Sequence, residues 1–535
     1  MKHQLRYITA VSVLFLLVIS SCSDSFLNEK VEDQYSTDIN DRESLRATLI
    51  LMYEATSNFY SKSDQQGWPA LWNVGTDIAW PVQYQGVEIP FFRYNTLTPD
   101  VHATWWMWRW EYDIIENANN AINNIESKGM AIEGMTEERL AAYNAEARFF
   151  RAKAYEELAT LFGPVPIVTD PIAEPKFDFT RAPLSEVNAL IEEDLQYAVQ
   201  NLPDFGQTED EQRVSNAAAS QLLAKHYLRV GKYAEAEAQA DRVINNPNFT
   251  LVNARYGVKA DQPGDPFSDM FWKGNMRHSQ GNSEAIWVLE MENPSDVRGG
   301  STGAPQQRRV WGGSYHSRNG LMPADSLGGR GIARLRLNNW VLYNLYDEGD
   351  MRNSRFNIHR QHWYNDPSSE LYGQPVPYEG ADTLFILTPY TMKWKHFDPR
   401  DTFGWGMWKD FILMRLGETY LLKAEAQVQQ GDMAGAAASI NVLRERANAP
   451  LVTAAEMDLD FVLDERAREL LAEENRRMEL MRTDKLLDRA TDAYNYGAPE
   501  NSTIEGLRDA NKLWPIPISE IQLNTEAELT QNPGY

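Results

Sequence analysis

Apolar side chains recur every three to four positions through nine stretches of this chain: 42–60, 110–127, 137–162, 185–201, 216–230, 233–245, 418–430, 433–447 and 461–489. That period predicts amphipathic helices. Between them lie two long stretches of another character, 60–110 and 247–415, rich in Gly, Pro, Asn and Ser. Neither sustains a helical period, apart from a candidate helix at 337–346. Loops of this length in a compact protein are functional or disordered. Their aromatic content argues for order.

Two of the predicted helix–turn–helix units repeat one another at an offset of 200 residues. Ala224, Gly231, Ala236 and Val243 hold the places taken by Ala424, Gly431, Ala436 and Leu443 in the second unit. Small side chains let antiparallel helices approach closely, and each glycine stands where a helix must end with positive φ. Asn246-Pro247 stops the second helix of the first unit. This spacing resembles the tetratricopeptide repeat, in which stacked helix pairs bury a shared core. Phe149, Ala152, Tyr155 and Leu158 start a third unit, with 187–199 as its partner beyond the loop Gly163-Pro164-Val165-Pro166. Segments 42–60 and 110–127 make a fourth pair. The expected fold is mostly α: a tetratricopeptide-like helical-repeat frame of about four helix pairs, with a large loop-rich inserted subdomain. The frame takes about 40–60, 110–246 and 416–490, the insertions about 60–110 and 247–415, and a C-terminal segment 491–535.

Tryptophan sharpens that division. Fifteen of the 16 Trp lie in the two insertions and only Trp514 lies outside, which core filling alone would not produce. Charge adds a second contrast. The chain carries a net charge of -25, which excludes general nucleic-acid binding. Yet residues 297–336 hold seven arginines (298, 308, 309, 318, 330, 334 and 336) against one acid, Asp325.

The N-terminus reads as an export signal over 1–21. Lys2 and Arg6 precede an apolar run from Ile8 to Ile19, too short to span a bilayer, then Ser20, Ser21 and Cys22. Ile19-Ser20-Ser21-Cys22 resembles a lipobox, with Ile for the usual Leu and Ser for the commoner Gly or Ala. Cys22 is the single cysteine of 535 residues, so an internal disulfide and cysteine–metal clusters are excluded. Its expected role is lipidation, anchoring the mature body 22–535 to a membrane.

Longer motifs follow. Cys22-Ser-Asp-Ser-Phe26-Leu27 opens the mature chain. Glu146-Ala-Arg-Phe-Phe-Arg151-Ala152 precedes Leu161-Phe-Gly-Pro-Val-Pro166, followed by Arg181, Asp194-Leu195 and Leu202-Pro203. Arg415-Leu-Gly-Glu-Thr-Tyr-Leu421 runs into Ala424-Glu-Ala426, Asn441 and Arg444 to Arg446. Glu465-Arg466, Glu469-Leu470, Glu473, Arg476 and Arg482 come next, and the chain ends with Pro515-Ile-Pro517, Glu520-Ile521, Asn524 and Gln531-Asn-Pro-Gly-Tyr535. In this order the motifs resemble the SusD/RagB family of Bacteroidetes outer-membrane lipoproteins, with Gly417-Glu418 for the usual Ala-Glu and Asn524-Thr525 for the usual Asn-Pro. The resemblance implies a place on the outer face of the cell outer membrane. It implies a partnership with a SusC-like TonB-dependent transporter, on which the frame packs, and capture of oligosaccharides by the inserted loops.

Sugar rings present flat C–H faces and many hydroxyls, so aromatics flanked by Asn, Asp and Arg on loops are the natural platform. Two candidate ligand-binding groups follow: Trp72, Asn73, Trp80 and Tyr84, and Arg308, Arg309, Trp311 and Tyr315. Trp105, Trp106, Trp108, Trp110, Trp340, Leu342 and Tyr346 read as core. Forked guanidinium groups suit oxyanions, so the arginine-rich stretch points to an anionic glycan, sulfated or uronic and ulvan-like. No catalytic constellation is specified: His359 and His362 lack zincin spacing, Gly328–Gly331 lacks the nucleotide-loop pattern, and no Walker motif occurs. The chain is therefore read as a binding protein, not an enzyme. No cofactor is implied, and whether structural calcium is bound is left open. Peptide capture by the same frame and a lipid-anchored glycoside hydrolase are the alternatives.

Overall fold

The computed structural model describes residues 39–62, 68–84, 86–298, 300–301, 303–491 and 504–535. The export signal and Cys22 lie outside the described residues. Eight helices make the frame: α1 (Arg42–Ser61), α2 (His102–Lys128), α3 (Glu137–Phe162), α4 (Leu184–Asn201), α5 (Asn216–Arg229), α6 (Tyr233–Ile244), α7 (Leu416–Gln430) and α8 (Met433–Arg446). Each packs on the next in chain order, giving the four expected pairs and one continuous stack. The stack runs straight through the second insertion, since α7 packs on α6 although some 170 residues separate them.

Local chemistry sets the helix ends. Asp41 caps α1 by accepting from Ser44 N at 2.7 Å, and Leu45, Leu49, Met52 and Thr56 form its buried stripe. α3 lies between α2 and α4, so it is buried nearly all round, and Gly163 ends it at φ 73°. Gly231 (φ 78°) and Gly431 (φ 83°) make the two expected turns. Ala224, Ala236, Ala424 and Ala436 are all buried at the helix crossings.

Two expectations change. The helix predicted at 110–127 begins at His102, taking in the tryptophans that precede it. The helix predicted over 461–489 is three pieces: α9 (Leu459–Glu469), α10 (Arg476–Arg482) and α11 (Leu486–Arg489). Breaks with positive φ fall at Ala472 and Asp484. The first break lets Glu473 and Glu474 turn back to Arg415 and Arg466 while Arg476 and Arg477 reach the first insertion.

Short strands close the insertions. β1 (Ala79–Pro81) pairs with β3 (Leu335–Leu337), joining the two insertions to each other. β2 (Ala285–Leu289) pairs with β6 (Phe411–Arg415), fastening the second insertion at its base, and β4 (Ile358–His359) pairs with β5 (Tyr390–Thr391) inside it. The C-terminal segment, with α12 (Ile518–Leu523), returns to the frame. There Asn532 donates to the carbonyls of Phe162 and Trp514 at 2.9 and 2.8 Å.

Buried ion pairs lock insertion to frame. Arg352 pairs with Asp350, Glu465 and Glu469 at 2.7 to 3.0 Å. Arg415 reaches Glu469 at 2.6 Å and Glu473 at 2.9 Å, and Arg446 reaches Glu284 at 2.6 Å and also Glu469. Burial would raise the Glu469 carboxyl, but Arg446, Arg415 and Arg352 hold it well below the ordinary range. Glu469→Ala leaves buried guanidinium groups unpaired and is expected to cost about 3–5 kcal/mol. Glu209→Ala, in a solvent-facing cluster, should cost under about 1 kcal/mol. Urea unfolding of the two variants checks this, and similar losses would refute it.

Candidate functional site

The first candidate group lies mostly inside. Trp72 is buried and stacked on Trp514, rings 5.8 Å apart at 8°. Asn73 is buried. Trp80 is buried under the Arg336 guanidinium at 5.6 Å. Tyr84 is half-buried, its hydroxyl accepting from Arg93 Nη2 at 2.9 Å.

The second group fares similarly. Trp311 is 2% exposed and faces the same small interior void as Trp68, Trp72, Trp394 and Phe411. Tyr315 is buried, donating to Gly329 O at 2.6 Å and lying against His362. Arg308 is buried and donates to the carbonyls of Arg330, His396 and Gly404 at 3.1, 2.8 and 2.7 Å. Only Arg309 of this group is half-exposed.

The expectation of an open platform at Trp72, Asn73, Trp80, Arg308, Trp311 and Tyr315 is therefore corrected. The physical reason is that these segments build a core of their own, in which the indoles pack with Leu71, Val74, Phe91 and Val310 and are withdrawn from water. Trp72 and Trp311 do meet, but in the interior. The core readings hold for Trp108, Trp110 and Leu342, which are buried, while Trp105, Trp106, Trp340 and Tyr346 are half-buried.

Exposed aromatics do occur in the second insertion, but they are other residues. Seven aromatic side chains among the described residues are exposed, and six of them lie between 343 and 405: Tyr343, Trp363, Tyr372, Tyr378, Phe403 and Trp405. Trp363 is 54% exposed and Trp405 65%. Backbone pairing explains Trp363. Residues 362–364 run antiparallel to 374–376, with Val376 N donating to His362 O and Tyr364 N to Gln374 O, each at 3.0 Å. Side chains alternate across such a ribbon. His362 and Tyr364 are buried, so Trp363 faces out. Asn365 clamps this hairpin to the backbone of Met322 through two hydrogen bonds of 2.8 and 2.9 Å.

Trp405 is displayed on a loop whose backbone is held from below: Arg308 donates to Gly404 O and Arg330 Nη1 to Phe403 O, the latter at 2.6 Å. Hairpin and loop flank one helical turn, Tyr315–Ser317. On one side the Tyr315 ring meets His362 at 5.4 Å, and on the other the His316 ring meets Phe403 at 6.0 Å. Tyr378 hydrogen-bonds with Tyr343 and Arg336, and burial pushes its hydroxyl pKa up. A sequence signal exists for Trp405: Gly404-Trp405-Gly406 gives the indole no bulky chain neighbour.

In this region burial outweighs the few nearby acids, Asp401 beside Arg308 and Glu88 beside Arg334. Burial, with Arg330 and Arg334 close by, pushes Arg309 down to about 10. Burial does the same to Arg308, also to about 10. Burial holds the rings of His359, His362 and His396 neutral, at about 4, 3 and 3. Among the described residues, no group of three or more His, Cys, Asp or Glu side chains is placed to hold a metal ion. No described helix is long and apolar enough to cross a membrane.

A separate groove of about 660 Å³ lies on the frame, between α2, the loop after α3 and α12. Ile172, Phe177 and Leu523 are exposed along it.

Two stability outcomes follow. Trp311→Ala should cost about 3–5 kcal/mol as a core deletion, read from thermal or urea unfolding; a loss under about 1 kcal/mol would return the indole to the surface. The buried histidines titrate near 6.5 when unfolded, so the unfolded state binds more protons below that pH. Their contribution to stability is full above about 6.5 and falls as pH drops towards 4, by up to about 1.4 kcal/mol per pH unit for each ring. His362→Phe should flatten that slope between about pH 7 and 5, and an unchanged slope would count against neutral burial.

Comparison with known proteins adds an independent finding. A family model described as "SusD family" matches residues 336–535. Another, described as "Starch-binding associating with outer membrane", matches residues 25–228. SusD-like protein P25 of Formosa agariphila is 25% identical over 562 aligned positions, covering 98% of this chain and 99% of that one. Among solved structures, a laminarin binding SusD-like protein superposes with a TM-score of 0.69 at 24% identity, covering 93% of this chain and 100% of that one. Surface glycan-binding protein A from Bacteroides fluxus gives a TM-score of 0.70 at 19% identity, covering 93% and 100%.

Proposed function

The chain belongs to the SusD family, and from that premise we propose that it captures polysaccharide or oligosaccharide at the outer face of the outer membrane. The observation that carries this reading is that six of the seven aromatics exposed among the described residues lie in one stretch of the second insertion. Large aromatic side chains concentrated in one exposed segment are costly to leave in water and mark a binding segment. Flat rings stack on sugar C–H faces, and the hydroxyls of Tyr343, Tyr372 and Tyr378 meet sugar hydroxyls. The match to starch-binding, membrane-associated proteins and the fold shared with a laminarin binding protein support the same role.

The finer reading has three parts. The glycan is anionic, a reading supported by the arginines of 297–336 that bind carbonyls rather than carboxylates. The protein is held by a lipid on Cys22. It hands its ligand to a SusC-like TonB-dependent transporter, and the apolar groove of the frame, with Ile172, Phe177 and Leu523 exposed, is a surface suited to a partner. No catalytic step enters this role.

Calorimetry and native gels containing glycan test it. Trp363→Ala and Tyr378→Ala should each weaken glycan binding by about tenfold or more, about 1.4 kcal/mol. Phe177→Ala, on the frame, should leave glycan affinity unchanged. Unaltered affinity in both insertion variants would dispose of the platform. Release of shortened sugars would favour a hydrolase, and tight binding of peptides in place of glycans would favour the peptide alternative.

A further inference from the structure

Positive charge collects without a counter-charge where the loop carrying Phe403 and Trp405 meets the turn 328–331. Arg309 and Arg330 are both half-buried there. Arg309 Nη1 donates to Gln306 Oε1 at 2.9 Å, and Arg330 Nη1 donates to Phe403 O at 2.6 Å. Both acceptors are neutral. Among the described residues neither guanidinium has a carboxylate within 4.0 Å, whereas Arg352, Arg415 and Arg446 each pair with two or more. The carboxylates in the neighbourhood act on other arginines: Asp401 on Arg308 and Glu88 on Arg334.

Three polar atoms in this corner are buried and without a hydrogen-bond partner: Nε of Arg309, Nε of Arg330 and Nδ1 of His316. Buried donors are almost always satisfied in folded proteins, so the two guanidinium Nε groups stand out as unused hydrogen-bonding capacity beside Trp405. Burial and the nearby Arg330 charge keep the His316 ring neutral. The Trp405 indole stands over the corner, with the Arg309 guanidinium 5.5 Å from its ring, and it is 65% exposed. Its loop is tied down through Gly404 O and Phe403 O, so the indole is positioned before any ligand arrives.

We propose that this corner is an oxyanion subsite, in which Arg309 and Arg330 hold a sulfate or carboxylate substituent of a glycan while the sugar ring bearing it lies on the open face of Trp405. The proposal rests on the glycan reading above and gives it an address. Forked guanidinium donors match two oxygens of one oxyanion, and partial burial strengthens the attraction relative to a fully exposed pair. Sulfate esters and uronates share this chemistry.

The test is titration calorimetry of the lipid-free mature protein with three oligosaccharide series of similar length: a sulfated galactan, a polygalacturonate and a neutral β-glucan. The wild type should bind at least one anionic series more tightly than the neutral one, and raising salt from about 0.05 to 0.5 M should weaken that binding about tenfold or more. Arg309→Gln should lose about tenfold on the anionic ligand and under about twofold on any neutral ligand bound, with an unchanged melting temperature, while Arg330→Gln, which also frees the Phe403 carbonyl beneath the Trp405 loop, should lose more on the anionic ligand than on the neutral one. Trp405→Ala should weaken both kinds. Preference for the neutral series, salt-independent binding, or equal losses on charged and neutral ligands would overturn the subsite and leave glycan capture standing. No binding by the wild type in any arm would remove both.

Discussion

A single buried carboxylate, Glu469, is gripped by three guanidinium groups that come from three directions. Arg352 belongs to the second insertion, Arg415 to the strand at its base, and Arg446 to the last turn of α8. Its neighbours Glu465, Glu473 and Glu284 extend the same lattice. Replacing such a cluster with packed apolar side chains is often neutral or stabilising elsewhere, so raw stability is a weak account of it. Registration is a better one. An apolar contact tolerates sliding, but a forked hydrogen bond to a buried carboxylate is satisfied at one position only. The second insertion is long and nearly without regular structure, and this lattice fixes where it sits on the helical stack. The aromatic face depends on that placement.

A second arrangement compensates for the missing strands and helices. Backbone carbonyls in irregular segments still need donors when buried. Here cationic side chains supply them. Arg308 serves three carbonyls of the second insertion. Arg477, sent from α10, serves Leu71, Val74 and Phe91 of the first. Lys409 donates to Phe271 O, Lys393 O and Lys395 O. Residues that resemble ligand-binding arginines in sequence can thus be substitutes for secondary structure, and Arg308 is one.

This explains what the sequence disclosed and what it hid. Helix pairs announce themselves through local periodicity and through Gly231 and Gly431, because helix geometry depends on near neighbours. The frame was legible for that reason. The late helix was overdrawn because the demand that breaks it at Ala472, turning Glu473 towards Arg415, is a tertiary one. Inside and outside were the harder distinction. Tryptophan density did not separate insertion from frame, since Trp105, Trp106, Trp108 and Trp110 fall on α2, and an indole at Trp311 and one at Trp405 look alike by composition. What separates them is local: a glycine on each side of Trp405, and for Trp363 the parity of a ribbon whose alternate residues are buried.

The arginines can be sorted by the same physical test. Burial lowers a guanidinium pKa, and only nearby carboxylates reverse that. Arg352 and Arg415 are buried completely, yet Glu465 with Asp350, and Glu473 with Glu469, hold them well above the ordinary value. Arg308, Arg309, Arg334 and Arg336 move the other way, with burial dominant. The first pair is neutralised within the fold. In the second set burial outweighs the attraction of nearby acids, and Arg309 has no carboxylate close enough to pair with among the described residues, which costs free energy that the folded chain alone does not recover. Arg308 spends its donors on carbonyls, and so satisfies its hydrogen bonds but not its charge. Arg309 and Arg330 keep donors in reserve beside an exposed indole. An uncompensated cost of that kind, next to an aromatic face that is itself costly to expose, is the form a binding site takes before its ligand is present.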